Sequence, residues 1–268
     1  LEENGKKKYL RPPADAVVDP HRADCEYPFK GLCGAAIAYK LVEALWEATG
    51  GDAEDLDYLI ENVAIATVGD VMELENENRI FVKEGLQMLK RTHSPGLRSL
   101  IACTGVDKDR IGAYHIGFVL GPCMNASGRL DTAKRTLDLL RAKTGKEADI
   151  LAGDLKALND SRKEMTDIAV EQARQIVDTT KAGQDRVLVL YLPGCHESLA
   201  GRIRERYYRP AIILTDAEEG IKGSGRSIEA YNMYEELSRC KDLLTKFGGH
   251  KLAAGMSLAK ENIEELRR

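Results

Sequence analysis

Two short segments late in the sequence, Lys222-Gly-Ser-Gly-Arg-Ser227 and Phe247-Gly-Gly-His-Lys-Leu-Ala-Ala-Gly255, combine glycines with hydroxyl and basic side chains. Gly223, Gly225, Gly248 and Gly249 have no side chain to hold an anion away from the backbone, while Ser224, Arg226, Ser227, His250 and Lys251 are hydrogen-bond donors. Such a set suits a phosphate, either of a nucleotide or of a nucleic-acid strand. A single Gly-x-Gly would say little. Two clusters of this kind in one strand-rich region favour ligand binding over simple turns.

Other positions carry weaker signals. Asp70 ends the apolar run Val63-Ala-Ile-Ala-Thr-Val-Gly-Asp70. A carboxylate there is either a metal ligand or a hydrogen-bonded cap, and spacing alone favours the cap. Asn125 and Arg129, in Gly121-Pro-Cys-Met-Asn-Ala-Ser-Gly-Arg-Leu130, either hold a phosphate or form a structural turn. Arg202, Arg206 and Arg209 share a helix face, which reads as a solvated surface before it reads as a phosphate contact. Cys195-His196 lacks an orienting third group, and His21 with Cys25 lacks a zinc ligand set, so both pairs read as structural.

These candidates need elements to position them. Apolar periodicity predicts mostly helical structure over residues 30 to 145, with helices at 35–46, 55–68, 78–90 and 110–120, the last broken at Gly121-Pro122. One long polar helix follows at 147–178, with a narrow stripe at Leu151, Leu155, Leu158, Met165, Ala169, Ala173 and Ile176 that suits a connector. Beyond it, buried strands at 186–192 and 210–215 flank a helix at 196–208, a β-α-β unit. The fold class is therefore α/β, with domain limits at 1–145, 146–180 and 181–268.

With 268 residues, 43% apolar and 31% charged, the chain is globular, and a net charge of −4 excludes a generally basic nucleic-acid coat. Any polyanion must be held by a local patch. Six cysteines without a Cys-x-x-Cys pair read as reduced thiols of a cytoplasmic protein, and the apolar runs are too short for a membrane role. Both ends read as cut, as in an interior fragment.

Taken in order, Phe29-Lys-Gly-Leu32, Thr67-Val-Gly-Asp70, the Gly121 to Leu130 segment, Gly223-Ser-Gly-Arg-Ser227 and Gly248-Gly-His-Lys-Leu-Ala-Ala-Gly255 resemble the RecJ single-stranded-DNA-specific exonucleases of the DHH phosphoesterase superfamily. The resemblance implies the latter, mostly helical part of a DHH catalytic domain at 1–145, a connecting helix, and a DHH-associated substrate-binding domain with a mixed sheet at 181–268. It implies 5′ to 3′ hydrolysis of single-stranded DNA in repair and recombination, by a monomer using two Mn or Mg ions. Asp70 then becomes a catalytic metal ligand, which reverses the reading from spacing. Asn125, Arg129, Ser224, Gly225, Arg226, Ser227, Gly248, Gly249 and His250 become substrate-binding residues. The family's Asp-His-His triplet does not occur in the chain, and residues 196–201, His-Glu-Ser-Leu-Ala-Gly, depart from its pattern. Two alternatives share the motifs: a DHH-family phosphodiesterase of oligonucleotides or cyclic dinucleotides, and a non-catalytic nucleic-acid-binding module.

Overall fold

The computed structural model describes residues 2–3, 6–7, 13–126, 130–195 and 199–268. The chain divides into two compact units, Leu1–Asn159 and Asp160–Arg268. In the first, a two-strand ladder of β1 (Glu2–Glu3) and β2 (Lys6–Lys7) precedes helices α1 (Gly34–Ala48), α2 (Ile60–Gly69), α3 (Asn76–Lys90) and α4 (Pro95–Cys103). Short α5 (Ala113–His115) runs through a π-helix (Ile116–Leu120) into α6 (Gly121–Met124), and α7 (Leu130–Arg141) and α8 (Gly145–Thr179) complete the series.

Local chemistry explains these boundaries. Ser94 accepts from the Leu97 N–H with Pro95 at the first helical position, so Ser94-Pro95-Gly96 opens α4 as well as closing α3. A side chain on Gly96 would meet the Leu139 carbonyl at 2.0 Å, which is why α4 and α7 can touch. The Thr144 hydroxyl accepts from the Glu147 N–H, and the Glu147 carboxylate reaches back to the Lys143 N–H, starting α8.

The expected break at Gly121-Pro122 is corrected by the structure. Pro122 has no N–H, and its ring would press on the carbonyl four residues back in a straight α-helix. The wider π turn absorbs it. The Gly121 N–H donates to the Ile116 carbonyl, and a β-carbon at Gly121 would sit 2.8 Å from that oxygen.

The core of the first unit joins Leu97, Leu100, Ile116, Leu120, Leu139 and Leu155, and a second cluster gathers Leu32, Cys33, Ala36, Val63 and Phe81. Buried Asn78 donates to the Gly31 and Glu73 carbonyls, fastening the Phe29-Lys-Gly-Leu32 segment to α3. α8 packs at both ends, through Ala148, Ala152 and Leu155 in the first unit and Ala169, Ala173 and Val177 in the second. Met165, assigned to the apolar stripe by spacing, is 61% exposed, because the middle of the helix has little to pack against.

The second unit contains β3 (Leu188–Tyr191), α9 (Ala200–Tyr207), β4 (Ala211–Asp216), β5 (Ile221–Arg226), α10 (Met233–Arg239), β6 (Leu244–His250), β7 (Ala253–Leu258) and α11 (Ile263–Leu266). The sheet order is β3-β4-β5-β7-β6, with β3 and β4 parallel and the other pairs antiparallel. The architecture is thus α/β with a mixed sheet. Leu188, Leu190, Ala211 and Ile213 pack with α8 and α9, while Val189, Ile212, Leu214, Ala254, Met256 and Leu258 pack with α10 and α11. Among the described residues no helix is long and apolar enough to cross a membrane.

Glu61 on α2 is 6% exposed and accepts from the Thr92 hydroxyl at 2.8 Å. Burial pushes its carboxyl above the ordinary carboxylate value, against smaller opposing effects of Thr92 and His93. A raised folded-state value means that the group's stabilising contribution is present below the unfolded carboxylate value and is lost as pH rises through the folded one. Glu61→Gln keeps the acceptor and removes the charge. The variant should be more stable at pH 7 by roughly 1 kcal/mol, the advantage vanishing near pH 4, as read by thermal melts across pH.

Candidate functional site

Asp70 is the C-cap of α2, exposed, with φ −84° and ψ 3°. Its N–H donates to the Ala66 carbonyl, and among the described residues its carboxylate has no hydrogen-bond or ion-pair partner. The reading from spacing, a hydrogen-bonded cap for the following segment, is corrected: the residue ends the preceding helix through its backbone N–H, and its side chain stands in solvent. Val71 follows at φ +56°, a left-handed conformation costly for a β-branched side chain, and is 88% exposed. The Val71 N–H donates to Val68 and the Met72 N–H to Thr67, the two bonds of a Schellman cap in which glycine normally fills the left-handed position. The strain beside an unpaired carboxylate marks this helix end as a candidate site.

The glycine motifs lie in strands rather than loops. β5 is interior, between β4 and β7, so its backbone amides serve the sheet ladder and are not bared to an anion. Gly223 and Gly225 point to the α10 side. A β-carbon at Gly223 would lie 2.6 Å from Leu214 Cδ2, and one at Gly225 would lie 3.1 Å from Met233 Sδ. These two glycines make room for the core, which corrects the expectation that they expose their amides. Gly249 is also structural, with φ +155° and the Ala253 carbonyl 2.3 Å from its would-be β-carbon.

The opposite face is different. Register sets three rows across β5, β7 and β6: Arg226, Ala253 and His250; Ser224, Gly255 and Gly248; Lys222, Ser257 and Lys246. Directly opposed residues share a face. The small residues Gly255, Gly248, Ala253 and Ser257 therefore form a shallow trough beside buried Ser224, with Arg226, His250, Lys222 and Lys246 at its corners. From strand spacing and rise the corners enclose about 10 by 13 Å. β-Carbons at Gly248 and Gly255 would meet nothing within 4 Å, and both residues are exposed.

The donors are arranged over this trough. Arg226 Nη1 donates to Ser224 Oγ and to the Gly225 carbonyl, both at 2.9 Å, which holds the guanidinium across the strand. His250 Nδ1 accepts from the Leu252 N–H at 3.3 Å, so a neutral ring keeps its proton on Nε2 as a donor. Ser227 is 5% exposed and gives its hydroxyl to the Tyr231 carbonyl at 2.7 Å, a turn-holding bond rather than a free donor. Lys251 pairs with Glu229.

Asn125 is the exposed C-cap of α6, its N–H bonded to Gly121. Arg129 and His196 lie outside the described residues. Arg202 pairs with Asp167, and Arg209 donates to the Gly183 and Asp185 carbonyls, in line with a surface role. Burial raises the Cys195 thiol, keeping it from being a ready nucleophile. Lys222, Lys246, Gly255 and Ser257 were not singled out as site residues from sequence, although the alternate spacing 222/224/226, 246/248/250 and 253/255/257 would have grouped them once strands were assigned.

The donor set does not by itself fit a two-metal centre. Among the described residues no three His, Cys, Asp or Glu side chains gather as a metal group. Asp55-Leu-Asp57 and Asp107-Lys-Asp109 both lie in 3₁₀ turns, where Asp107 accepts from the Asp109 N–H and approaches Arg110. Asp70 is one exposed carboxylate, and one is too few.

Residues 184–268 match the DHHA1 domain model. The chain is 38% identical over 261 residues to the single-stranded-DNA-specific exonuclease RecJ of Bacillus subtilis (strain 168), covering 96% of this chain and 32% of the relative. To the Escherichia coli (strain K12) RecJ it is 34% identical over 275 residues, covering 94% of this chain and 48% of the relative. The chain thus spans about a third to a half of the length of these curated relatives. A crystal structure of exonuclease RecJ bound to manganese superimposes with a TM-score of 0.77 at 30% identity, covering 97% of this chain and 65% of that one. The Thermus thermophilus RecJ in complex with Mg2+ gives 0.74, also at 30% identity, over 90% of this chain and 37% of the other.

The strained and bare backbone positions separate experimentally. Val71→Gly should raise stability by about 1 kcal/mol. Gly249→Ala should lower it by roughly 2 kcal/mol or more, whereas Gly248→Ala and Gly255→Ala should change it by less than about 0.5 kcal/mol. Urea unfolding of the four variants checks the order; a Gly248→Ala as damaging as Gly249→Ala would mean the trough floor is packed.

Proposed function

We propose, for a chain homologous to the RecJ exonucleases along nearly its whole length, that it is the strand-gripping part of a metal-dependent exonuclease that hydrolyses single-stranded DNA from its 5′ end in repair and recombination. Residues 1–145 are then the latter part of the catalytic domain, 146–180 the connecting helix and 181–268 the substrate-binding domain. The main support is the trough of small residues framed by Arg226, His250, Lys222 and Lys246.

Each side chain has a definable part. Arg226, held by Ser224, presents a planar cation to a phosphate oxygen, and His250 Nε2 adds a second donor in the same row. Gly248 and Gly255 let a backbone phosphate or sugar approach the sheet without meeting a β-carbon. Ser224 positions Arg226 more than it binds. In such a reaction, holding the phosphate in line contributes several kcal/mol on its own. Asn125 and Arg129 are proposed as further phosphate donors of the first unit, and Asp70 as the one carboxylate it offers to Mn2+ or Mg2+, ions that polarise the scissile phosphate when bound.

Arg226→Ala should weaken binding of a single-stranded oligonucleotide about tenfold and lower the slope of log K against log salt by about one. Titrations from low to physiological salt test this; unchanged affinity and slope would remove the trough as the phosphate site. A dinucleotide bound as tightly as a long strand would favour the oligonucleotide phosphodiesterase reading instead. Because among the described residues no further metal ligands gather with Asp70, and one carboxylate cannot hold two ions, the 268 residues alone should show no Mn2+-dependent hydrolysis of labelled single strands, and robust hydrolysis would show that Asp70 has partners elsewhere in the chain.

A further inference from the structure

Two large aromatic side chains stand in solvent beside the α2 end without any packing reason. Tyr114 is 66% and Phe118 68% exposed, yet their rings stack on each other at 5.0 Å and 28°. The π-helix sets this geometry. Its inner side chains, Ile116 and Leu120, are fully buried in the core, which fixes the backbone, and the outward turn carries Tyr114 and Phe118 four residues apart. The His115 ring meets Tyr114 edge-on at 5.8 Å, so the first ring is held as well. Wide π turns interrupt helices chiefly at functional positions.

The location is specific. Gly117, the residue before Phe118, faces α2: a β-carbon there would be 3.7 Å from Val68 Cγ1, two residues before Asp70. The aromatic pair therefore belongs to the same corner of the first unit as the unpaired carboxylate and the strained Val71.

We infer that Tyr114 and Phe118 form a stacking platform for an unpaired nucleobase of the strand, next to the nucleotide whose phosphate is presented at Asp70. This rests on the single-strand reading given above and adds a base contact to its phosphate contacts. A nucleobase fits the pair because the two flat rings stand in solvent already stacked on each other, an arrangement that a further ring extends face to face. Flat rings accept any base on their faces, which gives grip without sequence preference. The neutral platform takes no part in neutralising phosphates, so its loss leaves the salt dependence alone.

The test compares a twelve-residue thymidine strand with a strand of equal length whose sugars carry no bases, bound to the 268-residue chain as wild type, Tyr114→Ala/Phe118→Ala, Phe118→Leu and Phe118→Tyr. Wild type should prefer the base-bearing strand by roughly 5- to 100-fold. The double variant should lose most of that preference while binding the baseless strand with unchanged affinity and salt slope, Phe118→Leu should lose part of it, and Phe118→Tyr should keep it. Both rings are exposed, so circular dichroism and melting should be unchanged; if the double variant does unfold, Phe118→Leu decides alone. Variants that retain the full preference overturn the platform, and if Arg226→Ala still weakens binding in the same assay, the phosphate trough stands without it. Wild type that binds neither strand overturns both readings.

Discussion

A side chain on a β-strand can go to only one of two faces, and in β5 both neighbours already claim the backbone. That constraint organises the second unit. Gly223 and Gly225 must face α10, because any side chain there would collide with Leu214, Met256 or Met233. Lys222, Ser224 and Arg226 are thereby committed to the other face, and β7 and β6, locked in register, add Gly255, Ser257, Gly248, Lys246 and His250 beside them. A slip of one residue would drive Met256 and Leu258 into solvent and the basic residues into the core. The register that buries the apolar side is the same one that assembles the trough.

The first unit stores its information in strain. Val71 occupies a position that glycine would fill at lower cost, and Pro122 is accommodated only by widening the helix over Ile116–Leu120. Val71 is exposed, and the π turn, while burying Ile116 and Leu120, leaves Phe118 in solvent against Tyr114. Both lie at the end of α2, where Val68 packs beside the π-helix and Asp70 leaves its carboxylate without a partner among the described residues. Strain retained against an easier local alternative is what a selected surface looks like.

Much of this was legible before any coordinates. Apolar periodicity located α1, α3, α8 and the parallel pair β3 and β4, since those elements bury a regular stripe or run. The α/β class followed from the same patterns, and residue chemistry singled out Ser224, Arg226 and His250, which the sheet register places on one face. What spacing missed has physical causes. Gly-Ser-Gly-Arg looks like a phosphate loop because glycine signals both backbone freedom and lack of room, and only the contact with Met233 tells them apart. Gly121-Pro122 looks like a helix end because a π turn has no sequence period of its own. α4 was hidden because Ser94-Pro95 both ends one helix and caps the next.

The two kinds of glycine in the trough region also bear on how such a surface can vary. Where a glycine faces the core, as at 223 and 225, substitution costs stability first, whatever the strand side binds. Where it faces open space, as at 248 and 255, the fold imposes no such penalty, so the absence of a side chain there has no structural explanation within the chain. A bare floor costs solvated backbone and gives no packing in return. On the proposed single-strand reading it is the footprint of something that must come closer to the sheet than a methyl group would permit, a phosphodiester backbone flanked by Arg226 and His250.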